Sequence, residues 1–175
     1  MGMNKAEQDT LFEALFSAYR QPIYGYLYRL VGNLDPAEEL LQDVFVNAYR
    51  TLPKLASDGN HKAWLYRIAT NAARDYFRRQ KLRRWLPLHD ENETDHEQNA
   101  AEFVEQGEDI NREMSLEVQE ALLKLPMNYR EPLLLYSVHE MSTAEIAKVL
   151  GIGNSAVKMR LVRARDLFKR AYDGA

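Results

Sequence analysis

Apolar side chains recur three and four residues apart along most of the chain, which is the spacing of an amphipathic helix. In the first half this spacing predicts three or four helices, and in the second half it predicts a further group that ends in one long helix. The sequence contains no strand-like alternation of useful length and no internal repeat. The pattern therefore predicts an all-α chain.

Proline and capping residues indicate where the first helices begin and end. Pro22 is expected to kink or restart the first helix, because proline inside a helix removes a hydrogen bond. Asp35 is the predicted N-cap of the second helix, with Pro36 at the first helical position and Glu38 completing a box-like arrangement. Pro53 is expected to stop this helix.

The second half has the helix start and stop signals of a helix-turn-helix. Ser142 and Glu145 have the spacing of a capping box, which predicts the start of a short helix that ends before Gly151. A three-residue turn containing glycine then leads into a basic helix, from about 154 to 172. Two earlier helices are predicted, one ending at 125–126 and one covering about 129–139.

Charge is divided unevenly along the chain, although the net charge is only −3. Residues 1–85 carry 13 Lys/Arg and 9 Asp/Glu, residues 86–114 carry 1 and 10, and residues 115–175 carry 9 and 7. Two basic segments therefore flank an acidic one that lacks apolar periodicity. We predict two small helical domains, 1–86 and 114–175, joined by a flexible acidic linker at 87–113.

Composition excludes several classes of protein. The chain has no cysteine, so disulfides, thiolate zinc sites and cysteine nucleophiles are impossible. The N-terminal residues lack the apolar stretch of a signal peptide, and no apolar run approaches the ~20 residues that span a bilayer. We expect a soluble cytoplasmic protein without direct membrane insertion. No phosphate-cradling loop, nucleophile elbow or cluster of catalytic acids indicates an enzyme, and we expect no cofactor and no metal.

The final helix is the strongest candidate for binding DNA. At ~100° per residue, one apolar face would pack on the preceding helices and leave a basic face exposed. Basic side chains at the groove edges would neutralise phosphates, and the N-terminal side chains would meet base edges. An ordinary solvated basic helix is the alternative. The predicted contact residues are Ser155, Ala156, Lys158, Met159, Arg160, Arg163 and Arg165.

The long helix predicted from about Lys62 to Lys81 is a second basic element. Arg67, Asn71, Arg74 and Arg78 are spaced to share one face, and aromatic residues lie between them. Unpaired bases stack on aromatic rings beside a basic groove, so this pattern favours melted nucleic acid. A solvated face of arginines and core aromatics is the alternative. Asp75, the acid on this helix, is expected to pair with Arg78, Arg79 or a buried donor.

The helix beginning near Pro36 has a face that resembles a docking surface. Glu39, Gln42, Asp43 and Val46 lie opposite its predicted buried stripe. An exposed valine among acidic and amide groups is typical of a partner-binding face, although scattered surface valines are common.

Three stretches of the chain, in order, resemble segments of bacterial sigma factors. Residues 37–45 resemble the segment that binds core RNA polymerase, and 64–71 with 74–79 resemble the segment that melts and reads the −10 element. Residues 123–165 resemble the domain that reads the −35 element, including Leu125-Pro126, Tyr129-Arg130, Leu150-Gly151 and Val157-Lys158. The intervening domain of housekeeping sigma factors is missing, which is similar to the extracytoplasmic-function group.

This resemblance implies a sigma-2-like helical bundle and a sigma-4-like helix-turn-helix domain. It implies that the docking face of the second helix contacts the clamp helices of the largest polymerase subunit, with the polymerase flap as a further contact. It implies that the loop before the long helix lies at the −10 element together with the basic face of that helix. The loop residues are Ser57, Asp58, Gly59, Asn60 and His61. Many relatives are held by an anti-sigma factor, so such a partner is expected.

Two further hypotheses concern the recognition helix and the linker. Where many family members have serine and threonine, this chain has Gly153 and Ala156, and Met159 follows the lysine. We expect Ala156 and Met159 to pack on thymine methyls or sugars. The acidic linker is similar in position to the segment that enters the polymerase active-site channel, and a solvated tether is the alternative. A stand-alone helix-turn-helix regulator would explain the second half of the chain but not the first.

Overall fold

Seven α-helices form within residues 3–55, 59–85 and 114–174, which are the residues that the computed structural model describes. No strand occurs among them, so the predicted all-α class is confirmed. The predicted acidic linker, together with Ser57 and Asp58, lies outside the described residues. The helices are α1 (Lys5–Val31), α2 (Leu34–Thr51), α3 (His61–Trp85), α4 (Leu116–Leu123), α5 (Met127–Ser137), α6 (Thr143–Leu150) and α7 (Asn154–Asp173), with a 3-10 turn at Leu52–Lys54.

The helix-turn-helix formed by α6 and α7 is as predicted. The Ser142 hydroxyl accepts from the Glu145 N–H at 3.1 Å, and the Glu145 carboxylate accepts from the Ser142 N–H at 2.9 Å. Gly151 ends α6 in the left-handed region, at φ 67°, where glycine is favoured. Gly153 is the N-cap of α7.

Of the kink or restart predicted at Pro22, the restart is wrong, and so is the predicted N-cap of the second helix. Pro22 does not restart α1, which is continuous, because packing of its apolar residues on α2 and α3 offsets one lost hydrogen bond. Asn33, not Asp35, caps α2, and its side chain accepts from the Asp35 N–H at 3.2 Å. Pro36 is therefore the third helical residue. Its missing N–H is harmless there, because the first four N–H groups of a helix have no partner within it.

The two halves of the chain pack directly against each other. Helices α1, α2 and α3 enclose Tyr26, Leu30 and Leu65, while α4 to α7 enclose residues such as Leu134 and Ile146. Helix α1 contacts α4 and α5, and α3 contacts α6, so the buried residues form one continuous hydrophobic core. The long α3 is thus partly covered by the second half.

Gly32 lies at one contact between the halves and gives a test of it. Gly32 has φ 77°, and a Cβ atom there would lie 2.8 Å from Leu123 Cδ1 on α4. Gly151 has a similar φ of 67° but no neighbour within 4 Å of such an atom, so it is a matched control. We expect Gly151→Ala to lower the free energy of unfolding by about 1–2 kcal/mol through backbone strain alone. Gly32→Ala should cost about 1 kcal/mol more, because Leu123 must also move.

Urea denaturation followed by circular dichroism measures both losses. Equal losses for the two variants would contradict the contact between Gly32 and Leu123.

Candidate nucleic-acid and partner interfaces

The basic face of α3 is only partly free. Arg67, Asn71 and Arg78 are exposed, as a nucleic-acid contact requires. The Arg78 guanidinium donates to Asp75 at 2.6 Å, which confirms the pairing expected for that acid. Both side chains are at least half exposed, so this ion pair contributes little to stability.

Arg74 is bound by the other half of the chain. Its Nε and Nη2 donate to the two carboxylate oxygens of Glu131 on α5, at 2.7 and 2.6 Å. The Glu131 side chain is 1% exposed, whereas that of Arg74 is 38% exposed. The hydrogen bonds to Glu131 raise the pKa of Arg74. Arg74, the remaining residue of the predicted face, is therefore bound by Glu131 in this structure, and its role at DNA stays a prediction.

Of the loop residues predicted at the −10 element, Gly59, Asn60 and His61 are described. Asn60 acts as a helix cap, because its side-chain oxygen accepts from the Ala63 N–H at 2.9 Å. Its amide also donates to Glu145 of the α6 capping box at 3.2 Å. Hydrogen bonds from the backbone and side chain of Ser142 and from Asn60 lower the pKa of Glu145. The start of α3 therefore meets the start of α6.

His139 is half-buried where α1 and α3 meet the second half. Its Nδ1 is hydrogen-bonded to the Tyr66 hydroxyl at 2.7 Å, and its backbone carbonyl accepts from Lys62 at 2.9 Å. The Tyr26 ring packs edge-on to the imidazole, with 5.3 Å between ring centroids. Burial, with the positive charges of Arg29 and Lys62, lowers the pKa of His139 to about 3. The imidazole is therefore neutral at pH 7.

This lowered pKa predicts a loss of stability in acid. The unfolded chain binds a proton at His139 near pH 6.5 and the folded chain only near pH 3, so stability is complete above pH 6.5 and declines as the pH falls towards 3. Between pH 7 and pH 5 we expect this one residue to remove about 2 kcal/mol from the free energy of unfolding. Urea denaturation at the two pH values measures the decline.

The control for acid sensitivity is His139→Gln, which keeps a polar side chain that does not titrate. The carboxylates of the two proteins are the same, so the difference between the two declines belongs to His139. Equal declines would contradict the assignment.

The face of α7 predicted to read DNA is exposed. Val157, Leu161 and Ala164 are buried against the other helices, while Met159 is 74% and Val162 is 67% exposed. Ser155, Lys158, Arg163 and Arg165 are exposed, and Ala156 and Arg160 are half-buried. The Arg165 guanidinium lies over the Tyr136 ring, 5.2 Å from its centroid, which fixes one cation at the edge of this face.

The predicted docking face of α2 borders a groove that the sequence patterns did not indicate. Glu39, Gln42, Asp43 and Val46 are all exposed, with Val46 at 51%. Gln42 and Val46 line the groove together with aromatic side chains of α1 and α2. The sequence signal that could have indicated this groove is a pair of aromatic residues four positions apart on each of α1 and α2. These aromatics are Phe12, Phe16, Phe45 and Tyr49.

A second groove missed by sequence reasoning lies between α4, α5 and α7. It has a volume of about 270 Å³ and is almost entirely apolar. Its walls include Val118, Leu122, Leu133 and Phe168, with Arg165 at its edge. The residues come from three helices, so no single stretch of sequence shows them together.

The described residues contain no group of three His, Asp or Glu side chains that could hold a metal ion. Among the same residues, no helix is long and apolar enough to cross a bilayer.

Comparison with protein families gives two matches. The model for sigma-70 region 2 matches residues 15–83, and the model for sigma-70 region 4 matches residues 115–167. The chain is 32% identical over 172 residues to the ECF RNA polymerase sigma factor SigW of Bacillus subtilis, covering 96% of this chain and 91% of that protein. It is 30% identical to the RNA polymerase sigma factor SigZ of the same organism, covering 93% and 87% of the two chains.

Two solved structures share the fold. One is the sigma factor RpoE in complex with the anti-sigma factor NepR from Bartonella quintana, with a TM-score of 0.71, 19% identity, and coverage of 93% of this chain and 96% of that one. The other is CnrH in complex with the cytosolic domain of CnrY, with a TM-score of 0.68, 26% identity, and coverage of 95% and 90%. With both family regions present in order, and relatives matched over nearly their whole length, the chain belongs to the extracytoplasmic-function sigma factors, which direct RNA polymerase to promoters.

Proposed function

We propose that α2 binds core RNA polymerase, that α3 and the loop before it read and melt the −10 element, and that α7 reads the −35 element. The observation that carries this proposal is the exposure of an acidic-amide face on α2 in the same molecule as basic faces on α3 and α7. A stand-alone helix-turn-helix regulator would need only the last of these. Sigma factors in general are not enzymes, and we expect this chain to catalyse no reaction and to act in the cytoplasm.

The clamp helices of the largest polymerase subunit are the partner we assign to α2. Glu39 and Asp43 supply negative charge that would complement a basic coiled coil. Val46 and the aromatic groove beside it supply apolar area at the centre of the contact. This combination of an apolar centre and a charged rim is typical of a protein interface.

The polymerase flap is the partner we assign to the apolar groove between α4, α5 and α7. Its lining from Val118, Leu122 and Phe168 suits an apolar side chain of a partner segment. The groove lies beside Arg165 of the recognition helix, so the flap and the −35 element would be bound by neighbouring surfaces.

The −10 element is the ligand we assign to α3. Arg67 and Arg78 would neutralise phosphates, and Asn71 can hydrogen-bond a base edge. Arg74 would join them once it is released from Glu131. Extrusion of a base costs a few kcal/mol, which stacking and edge hydrogen bonds must offset.

The −35 element is the ligand we assign to α7, with apolar residues at the base-facing positions. Met159 is exposed and free to contact thymine methyls. We expect Met159→Ser to change the preferred −35 sequence, because serine offers a hydrogen bond in place of apolar area. Selection of bound promoters from a randomised −35 library measures the preference, with Lys169→Ser as a control on the same helix. An unchanged base preference would contradict the role of Met159.

An anti-sigma factor is a further partner. One of the two structures with this fold is a complex of a sigma factor with an anti-sigma factor, and the other is a complex of CnrH with the cytosolic domain of CnrY. This chain matches each of them over more than 90% of its length. We propose that such an inhibitor covers the polymerase-binding surfaces of this chain.

Run-off transcription on a genomic library tests the proposed function. With the purified chain and core polymerase, transcripts should start at defined sites that share −10 and −35 sequences. Core polymerase alone is the control. A gel shift separates the rival: a sigma factor should bind promoters tightly only with core polymerase, whereas a stand-alone regulator should bind without it. Failure to start transcripts at any defined site would overturn the proposal.

A further inference from the structure

Glu131 binds the guanidinium of Arg74, a residue that the proposed function assigns to DNA. Both Glu131 oxygens accept from Arg74, in the bidentate geometry that arginine also uses with phosphate. A phosphate and the Glu131 carboxylate therefore cannot hold the same fork of Arg74 together. The structure joins the promoter-reading face of α3 to an acidic group of its own chain.

Other polar contacts between the halves lie along the same helix. The amide of Asn60 reaches Glu145, and Lys62 reaches the carbonyl of His139. Helix α6 packs along α3 beside these contacts. The first residues of α3 and Arg74, three turns further on, are thus both engaged by the second half of the chain.

Because the Glu131 side chain is buried, its contact with Arg74 exists only while the two halves are packed together. The Glu131 side chain is 1% exposed, and Arg74 satisfies both of its oxygens. A buried carboxylate whose partner is removed is strongly destabilising, whereas desolvation makes the intact pair only weakly stabilising. Loss of Arg74 to another anion therefore favours separation of α5 from α3, with water then reaching Glu131.

We propose that Glu131 is an internal latch, which holds Arg74 in the free chain and keeps the −10 face of α3 closed until promoter phosphate replaces the carboxylate. The proposal rests on the function proposed above, because it gives Arg74 two alternative anionic partners. A closed and an open arrangement of the halves exchange, and promoter DNA binds the open one. The latch is a property of this chain alone, so it acts without an inhibitor.

Fluorescence energy transfer tests the latch on the full chain. The chain has no cysteine, so Glu13→Cys on α1 and Lys169→Cys on α7 give two unique labelling sites at exposed positions. Glu131→Gln and Glu131→Arg are then compared with the wild-type chain. We expect lower transfer efficiency in both, with the larger drop in Glu131→Arg because it places two cations together. Glu120→Arg, at an exposed position on α4, makes the same change of charge outside the Arg74–Glu131 ion pair and should leave the efficiency unchanged.

A charge swap distinguishes the effect of losing the Arg74–Glu131 ion pair from the effect of damaging the fold. Arg74→Glu combined with Glu131→Arg re-forms the pair with its charges exchanged, and it should restore most of the lost transfer efficiency. Far-ultraviolet circular dichroism checks that each variant stays helical. If Glu131→Arg does not fold, Glu131→Gln and the swap decide. Unchanged efficiency in Glu131→Gln, or a swap that fails to restore it, would overturn the latch.

Promoter binding by the free chain gives the second readout. Glu131→Gln, with Arg74 released, should bind fork-shaped −10 DNA several-fold more tightly than the wild-type chain in a filter-binding assay. Equal affinity would overturn the latch even if the wild-type chain supports run-off transcription. If run-off transcription fails while Glu131→Gln still lowers the transfer efficiency, the proposed function is overturned and the contact between the halves stands.

Discussion

Replacing Arg130 with methionine is expected to lower the free energy of unfolding by about 3–5 kcal/mol. The buried Arg130 guanidinium donates to the carbonyls of Leu122, Leu123 and Leu125 at 2.7–2.9 Å, and also to the carbonyl of Leu30 at the end of α1. Methionine fills similar space but donates nothing, so four carbonyl groups lose a partner in a site with little water. Arg130 is only 8% exposed, and this burial lowers the pKa of its guanidinium.

The control for this loss is Arg130→Lys, which keeps the charge. Three donors on one nitrogen cannot reproduce the planar fork of arginine, so an intermediate loss is expected. Urea denaturation followed by circular dichroism measures both variants. A loss below about 1 kcal/mol for Arg130→Met would show that these carbonyls find other partners.

Asp43→Arg is expected to weaken binding to core RNA polymerase by about 100-fold, or about 3 kcal/mol. Asp43 is exposed at the proposed clamp contact, so the change should not disturb the core of the domain. It would place a cation against a basic coiled coil, and juxtaposed like charges at an interface cost several kcal/mol. Fluorescence anisotropy of a labelled chain titrated with core polymerase measures the affinity.

Glu120→Arg is the matched control for the polymerase contact. It makes the same change of two charges at an exposed position on α4, outside both grooves. Its affinity should stay within a few-fold of the wild-type value. Equal affinities of the two variants would contradict the assigned face of α2. The difference should also shrink as salt is raised, because surface charges are then screened.

Local signals explain which helix boundaries the sequence predicted well. The capping box at Ser142 and the end of its helix before Gly151 depend only on residues within a few positions, and both are found as expected. Asn33 and Pro22 show the limit of such signals. The polar residue two positions before Asp35 was an equally good cap, and the continuity of α1 through Pro22 depends on packing against α2 and α3.

The faces of the candidate interfaces were predictable for the same reason. Periodicity along α2 and α7 places Val46 and Met159 outside the core, and both are exposed. The engagement of Arg74 was not predictable, because its partner Glu131 is 57 residues away and lies in a short helix with an unremarkable pattern. Contacts between elements distant in sequence leave no periodic signal in either of them.

Met159 and Val162, on the face of α7 that we propose reads the −35 element, are exposed, and the residues that hold α7 in place lie on its other face. Val157, Leu161 and Ala164 are buried and pack α7 against the other helices, whereas Met159 and Val162 take no part in this packing. Substitutions at the two outward positions therefore carry almost no folding cost, typically within about 0.5 kcal/mol. A lineage can try new side chains there one at a time without passing through misfolded intermediates. Under the role that we propose for α7, the set of target genes can therefore diverge faster than the fold of the protein.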